Sequence, residues 1–144
     1  MLSMRDWDPW GHLDESDADL MWNALPHVAG AYVPDRQLVI LHPGKTAITQ
    51  RSTLAEELAH YELDHWPVED PVETARMELR ARRWAAIRLV TVDQILEAVR
   101  WTPYLHEVAE LLDVDPDLLA VRVELMSDED RLLLDERLEE KESD

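Results

Sequence analysis

The sequence contains no cysteine, no phenylalanine and only three glycines among its 144 residues. The absence of cysteine excludes disulfides and thiolate metal sites. So few glycines do not provide the glycine-rich loops with which common nucleotide-binding enzymes hold phosphates. Apolar runs stay below the roughly 18 residues that a membrane helix needs, and the N-terminus lacks a signal-peptide pattern. We therefore expect a cytoplasmic protein that does not contact a membrane.

Basic residues are also scarce. The chain has 14 lysines and arginines against 32 acidic residues, which gives a formal net charge of −18. Such a surface repels nucleic acid, so we expect no direct binding of DNA or RNA. The hydrophobic fraction of 46% and six tryptophans indicate a folded chain, and 144 residues correspond to one domain.

The hydrophobic patterns predict strands first and helices afterwards. A short helix over residues 1–17 opens around Asp8–Pro9. The apolar run Leu38–Leu41 is typical of a strand covered on both faces, and Pro34–Arg36 is typical of a hairpin turn. The predicted strands are Asp19–Asn23, Ala29–Val33 and Gln37–His42.

The rest of the chain has helical patterns. Two long helices are predicted over Ile48–Asp64 and Val72–Val90, and residues 139–144 are expected to fray. Four shorter helices are predicted to begin at Thr91, near Thr102, near Asp115 and after Ser127. The fold class is therefore α+β: a single domain over residues 1–144, with a short three-stranded sheet and two long helices over 1–90 and a mostly helical C-terminal part over 91–140.

The first long helix carries a polar stripe. At 100° per residue, Glu56, His60, Asp64 and Glu57 fall within an arc of about 100°, and Thr53 lies inside the same arc. Most of the remaining positions are apolar, which favours a buried helix. A solvated face and a chemical site are both consistent with this stripe.

The second long helix places an acid among small residues. Glu78, Ala81, Ala85 and Leu89 follow helical spacing on the face expected to point inward. A carboxylate there is costly unless it pairs with a cation or binds a metal. Periodicity leaves both partners open: an arginine, or a metal shared with Glu56 and His60.

The segments RSTLAEELAHYELDH (51–65) and ELRARRWAAIRLV (78–90) resemble two motifs of the ImmA/IrrE family of metallopeptidases. The family's zinc helix usually has T-L-A-H-E-L-x-H, and its second motif is E-x-x-A-x-x-[FW]-A-A-x-L-L. The segment GAYVPDRQLVILHPG (30–44) is similar to the hairpin before the zinc helix. The resemblance covers about residues 19–90, and residues 91–126 are similar to the family's small C-terminal helical region.

This resemblance implies a small zincin-like domain and a metal-dependent endopeptidase that cleaves helix-turn-helix repressors of phages, mobile elements or stress genes. Glu57 matches the general base. His60 matches the second histidine ligand and Glu78 the glutamate ligand. The implied cofactor is one divalent metal, zinc or manganese, and the implied partner is the repressor itself.

The chain departs from the family pattern at two positions. Glu56 stands where the family has its first histidine ligand, and Arg82 replaces a frequent Asp or Asn. A carboxylate can ligate zinc, so Glu56, His60 and Glu78 form one predicted metal site, and Arg82 is a candidate ion partner of Glu56 or Glu57. Two hypotheses follow: a variant peptidase with an E-E-x-x-H motif, or a catalytically inactive relative that binds a transcription regulator through its acidic surface.

Two further features favour structural roles. His65 is predicted to face Leu54 and Leu58 as a packed histidine or a support for the metal site rather than a ligand. The segment Leu105–Met126 has the pattern of two helices joined by a tight turn, but its few cations favour packing over recognition of DNA.

The same region is strongly acidic. Residues 103–144 hold 15 acidic and 4 basic residues, so this region suits a basic partner.

Overall fold

The computed structural model describes residues 7–143, without the side chain of Ser143. Helix α1 spans Pro9–Glu15, and the Asp8 carboxylate accepts hydrogen bonds from the backbone N–H groups of Trp10 and Gly11. The predicted helix start at Asp8–Pro9 is confirmed. The part of that prediction that falls on residues 1–6 lies outside the described residues.

Three short strands form one mixed sheet: β1 over Asp19–Trp22, β2 over Gly30–Val33 and β3 over Leu38–Leu41. The strand order is β1-β3-β2, with β1 parallel and β2 antiparallel to β3. A single 3₁₀ turn over Pro34–Arg36 connects β2 to β3. The three predicted strands are confirmed, each with shorter bounds, and β2 is an edge strand.

The expectation that β3 is covered on both faces is wrong. Val39 and Leu41 are fully buried, whereas Leu38 and Ile40 are only partly buried. The helix that follows β3 packs on the face with Val39 and Leu41, together with α1. The opposite face lacks an equivalent cover among residues 7–143, which explains the alternation.

Helix α2 spans Ala47–Glu62 and helix α3 spans Pro71–Leu89. Thr46 caps α2 by accepting a hydrogen bond from the backbone N–H of Thr49, and Asp70 caps α3 by accepting one from Val72. Both long helices are confirmed, one residue earlier at the start. Helix α2 lies between the two apolar cores, because Leu54 and Leu58 join the sheet while Ala55 joins the C-terminal helices.

The C-terminal part consists of α4 over Val92–Ala98, α5 over Leu105–Leu111, α6 over Pro116–Glu124 and α7 over Asp128–Ser143. The capping box of Thr91 and Gln94 is confirmed. As the sequence favours, α5 and α6 bury apolar side chains in the core. Within residues 7–143, no helix is long and apolar enough to cross a membrane.

Two predicted boundaries in this part are wrong. Helix α5 begins at Leu105 rather than near Thr102, because the Thr102 hydroxyl accepts a hydrogen bond from the Tyr104 N–H and donates one to Glu107. Of residues 139–144, which are predicted to fray, residues 139–143 are helical, and Asp144 lies outside the described residues. Their helix is anchored because Arg137 donates a hydrogen bond to the carbonyl of Leu96 and Leu138 packs against the core.

Candidate metal and catalytic site

A cavity of about 670 Å³ lies between α2, β2 and the first half of α3. Its lining includes all four predicted site residues, Glu56, Glu57, His60 and Glu78. Thr53, from the same predicted stripe, also lines it, whereas Asp64 lies beyond the helix end and is exposed. The polar stripe on α2 therefore faces a cleft rather than open solvent.

A close approach between β2 and α2 forms one wall of this cavity. A Cβ atom on Gly30 would lie 2.5 Å from Cγ2 of Thr53 and 2.8 Å from the carbonyl oxygen of Ile40. Only glycine fits at this position without displacing the strand or the helix. Gly30 thereby lets the edge strand run directly beside the helix that carries the predicted site.

Hydrogen bonds from the first half of α2 fix how the helix is rotated. Arg51 donates from Nη1 to the carbonyl of Asp113 at 2.6 Å. The Ser52 hydroxyl accepts a hydrogen bond from the N–H of Asp115 at 3.0 Å, and the Thr49 hydroxyl donates to the Asp115 carboxylate at 3.4 Å. Because these contacts fasten the first half of α2 to the turn between α5 and α6, the stripe with Glu56, Glu57 and His60 in the second half is held toward the cavity.

The two glutamates on the cavity side have raised pKa values. Burial is the largest cause for both: it raises the pKa of Glu57 to about 8, with further contributions from Glu56 and Glu78, and that of Glu56 to about 7. Among residues 7–143, neither side chain has a hydrogen bond or an ion pair within 4.0 Å. These partly buried carboxyl groups therefore lack the direct hydrogen bonds and ion pairs that usually compensate charge removed from water.

Arg82 does not provide that compensation by direct contact. Its positive charge lowers the pKa of Glu56 against the effect of burial. In the described part of the chain, however, it forms no ion pair with Glu56 or Glu57, and its side chain is exposed. The predicted pairing is wrong at contact distance, because the exposed Arg82 side chain is close enough to lower the pKa of Glu56 but does not form an ion pair with it.

Glu78 lies at the mouth of the cavity and not in the core. Its side chain is 57% exposed, whereas Ala81, Ala85 and Leu89 are at most 2% exposed. The expected inward face of α3 is thus confirmed only from Ala81 onward. The first half of the helix extends past the core, which leaves Glu78 facing the end of α2.

His60 and Glu78 form the closest pair among the predicted ligands. The distance from His60 Nε2 to Glu78 Oε1 is 3.4 Å. Two ligands of one tetrahedral zinc ion, at about 2.0–2.1 Å each, are roughly 3.3 Å apart. Within residues 7–143, no group of three His, Asp or Glu side chains is arranged to hold a metal ion. This structure thus brings two of the predicted ligands together, and Glu56 lines the same cavity without completing a three-ligand cluster.

The donor chemistry nevertheless fits a divalent cation. One imidazole and two carboxylates are ligands that zinc and manganese accept. The lack of hydrogen-bond donors to Glu56 and Glu57 in residues 7–143 also leaves their oxygens available for a cation. A bound positive charge would remove the electrostatic cost that now raises the pKa of both groups.

The predicted position of the His65 side chain is wrong. His65 lines the cavity, and its Nδ1 lies 2.8 Å from Nδ1 of His60 rather than facing Leu54 and Leu58. The prediction extended the helix to Asp64, but Asp64 has a positive φ of 54°, which reverses the chain. An Asp that tolerates the left-handed conformation at a helix end is the signal that would have placed His65 over His60.

Comparison with known protein families identifies the family of the chain. The model of the IrrE N-terminal-like domain, a metallopeptidase family, matches residues 16–124. The chain therefore belongs to this family, and the resemblance drawn from its motifs is confirmed. No curated protein sequence matches the chain. Members of the family are generally metal-dependent, which agrees with the donor chemistry of the cavity.

Proposed function

We propose that the chain is a metal-dependent endopeptidase with a variant ligand set. Glu56, His60 and Glu78 would hold one divalent ion, zinc or manganese, and Glu57 would act as the general base. The observation that carries this proposal is the pair of cavity-lining carboxyl groups without hydrogen-bond partners in residues 7–143, next to the His60–Glu78 pair at 3.4 Å.

A bound divalent ion would act as a Lewis acid on the scissile carbonyl and on the developing negative charge. Glu57 would take a proton from the attacking water as its oxygen bonds to the carbonyl carbon. It would then give that proton to the amide nitrogen as the C–N bond breaks. A carboxyl group with a pKa of about 8 holds its proton near neutral pH, and a nearby cation lowers that pKa so that the group becomes a base.

The proposed substrate is a polypeptide, which the position of β2 supports. This edge strand pairs with β3 on one side, and its residues Gly30–Tyr32 line the cavity on the other. An extended peptide can add to such an edge through main-chain hydrogen bonds. We propose a helix-turn-helix repressor, whose basic DNA-binding surface complements a chain of net charge −18. Its cleavage would derepress phage, mobile-element or stress genes.

The cleavage hypothesis is tested by mapping new protein N-termini in cells that express the chain or its Glu57→Gln variant. We expect new termini in or beside the helix-turn-helix domain of a transcriptional regulator, with the unaltered chain only. The same termini in both strains, or none in either, would contradict peptidase activity.

A second function is favoured by one observation. Glu56 replaces the family's first histidine, and within residues 7–143 the three predicted ligands do not form a metal cluster. A relative without metal would bind the regulator through its acidic surface and leave it uncut. This function predicts a stoichiometric complex that weakens as salt is raised, with the regulator intact after incubation with zinc and manganese.

A further inference from the structure

His60 contacts a different group through each of its ring nitrogens. Its Nε2 faces Glu78 at 3.4 Å, and its Nδ1 lies 2.8 Å from Nδ1 of His65. The side chain of His60 is only 12% exposed. The ring is therefore held between one carboxylate and one imidazole, and a rotation would break both contacts.

The end of α2 places His65 there through backbone hydrogen bonds. Asp64 adopts the left-handed conformation, the N–H of His65 donates to the carbonyl of His60 at 2.9 Å, and the N–H of Asp64 donates to that of Tyr61 at 3.2 Å. This is the Schellman pattern. The residue after the left-handed position donates its N–H to a carbonyl in the last turn of the helix, and its side chain packs against the residue that carries this carbonyl. Such pairs are usually apolar, whereas here both members are histidines.

The short distance between the two Nδ1 atoms means that the neutral rings share one proton there. A neutral imidazole has one N–H donor and one acceptor nitrogen. The Glu78 carboxylate 3.4 Å from Nε2 favours the tautomer of His60 that has its N–H on Nε2, and in that tautomer His65 donates from its Nδ1 to His60. To ligate through Nε2, His60 must carry its proton on Nδ1, and His65 Nδ1 must accept it.

We propose that His65 is a positioning residue for His60 and holds its ring so that Nε2 faces a divalent cation beside Glu78. When the cation binds, the two rings change tautomer together. His60 loses the Nε2 proton and gains one on Nδ1, while His65 loses its Nδ1 proton and gains one on Nε2, so the pair as a whole keeps both protons. This inference rests on the proposed metal site, and it adds a residue that supports a ligand without being one.

The first test needs no metal. In protein labelled with nitrogen-15 and kept above the ordinary imidazole pKa of about 6.5, NMR detects scalar coupling across an N–H···N hydrogen bond. We expect such a coupling between the Nδ1 nuclei of His60 and His65, with the shared proton on His65. It disappears in His65→Ala and persists in the control His106→Ala, which removes an exposed imidazole from α5. The absence of this coupling in the unaltered chain would overturn the inference while leaving metal binding possible.

The second test is calorimetric titration with zinc. We expect His65→Ala to weaken zinc binding about 10–100-fold, the range for partners that orient a metal-bound histidine. His65→Gln should recover part of the affinity, because its amide oxygen accepts a hydrogen bond from Nδ1 of His60, and His60→Ala should abolish binding.

Three outcomes of the titration contradict the inference. Unchanged affinity in His65→Ala would make the contact a packing interaction. Complete loss in His65→Ala, without recovery in His65→Gln, would make His65 itself a ligand. A lack of zinc binding in the unaltered chain, with the nitrogen coupling present, would overturn the proposed metal site and with it the positioning role.

Discussion

The two halves of α2 both withdraw polar side chains from open solvent, but they differ in the hydrogen bonds that those side chains form. In the first half, Arg51 and Ser52 are at most 4% exposed and have hydrogen bonds to the turn between α5 and α6. In the second half, on the cavity face, Glu56 and Glu57 are partly buried and have no such partner among residues 7–143, and their pKa values are raised to about 7 and about 8.

This difference distinguishes polar residues that stabilise the fold from polar residues that are available to a ligand. Buried polar groups that fold a protein are paired within the chain. Partly buried carboxyl groups that are left unpaired destabilise the folded state unless something outside the chain compensates them. The second half of α2 therefore has the properties of a site built for a ligand, whereas the first half positions the helix.

The largest expected effect comes from the first half of α2. Arg51→Leu removes the 2.6 Å hydrogen bond to the carbonyl of Asp113 and should lower the free energy of unfolding by about 3 kcal/mol, because a buried carbonyl loses a charged donor. Urea denaturation measures this change. Arg100→Leu is the matched control, because Arg100 is 66% exposed and its loss should cost less than about 1 kcal/mol. Equal losses of stability in the two variants would contradict this expectation, because the buried and the exposed arginine would then contribute equally to the free energy of unfolding.

The next effect concerns metal preference on the cavity face. Glu56→His restores the histidine of the family motif, and imidazole favours zinc over the harder manganese ion. We expect the ratio of zinc to manganese affinity to rise about tenfold, or about 1.4 kcal/mol, in paired calorimetric titrations. An unchanged ratio would show that position 56 does not contact the metal.

The metal-free protein should lose stability as the pH rises. The folded-state pKa of Glu57, about 8, lies above its ordinary value of 4.5, so the folded state binds more protons between these values. Stability is greatest at the acidic end of this window and falls toward pH 8. Glu57→Gln should be more stable than the unaltered chain by on the order of 1 kcal/mol near pH 8, with no difference below pH 4.5.

This dependence is measured by urea denaturation with a chelator present. Glu110→Gln, an exposed change on α5, is the control and should leave the pH dependence unaltered. A Glu57→Gln variant that is less stable than the unaltered chain near pH 8 would show that Glu57 is a satisfied structural residue.

The smallest effect is again in the first half of α2. Thr49→Val removes the long 3.4 Å hydrogen bond to the Asp115 carboxylate and should cost about 0.5 kcal/mol, because the bond is near the limit of useful geometry. Thermal unfolding followed by circular dichroism measures it. A loss of stability as large as that of Arg51→Leu would mean that this half of the helix depends on Asp115 more than on Arg51.

Much of the fold was predictable because local signals and hydrophobic periodicity agree. Proline after Asp8, the Thr91–Gln94 capping box and the apolar run of β3 each indicate the right element. The error at Thr102 has a local cause, since its hydroxyl serves Tyr104 and Glu107 before the helix begins. Sequence patterns do not distinguish these two roles, because threonine is found both in turns and at helix starts.

The sequence predicted which residues line the candidate site, but not how deeply each of them is buried. The stripe of Glu56, Glu57 and His60 follows from helical spacing, and these residues do share a cavity with Glu78. Periodicity placed Glu78 in the core because it cannot show where α3 extends past its neighbours. It likewise missed the reversal at Asp64 that brings His65 over His60, because that contact depends on one backbone conformation.

The most direct test of the cavity as a metal site is the zinc and manganese content of the purified chain, measured without a histidine tag or chelator. Glu78→Ala is the test variant and Glu110→Ala the matched control. We expect about one metal ion per chain in the unaltered protein and in Glu110→Ala, and none in Glu78→Ala. A chain that holds no metal even in excess zinc and manganese, or that holds it equally without the Glu78 carboxylate, would contradict the proposed site.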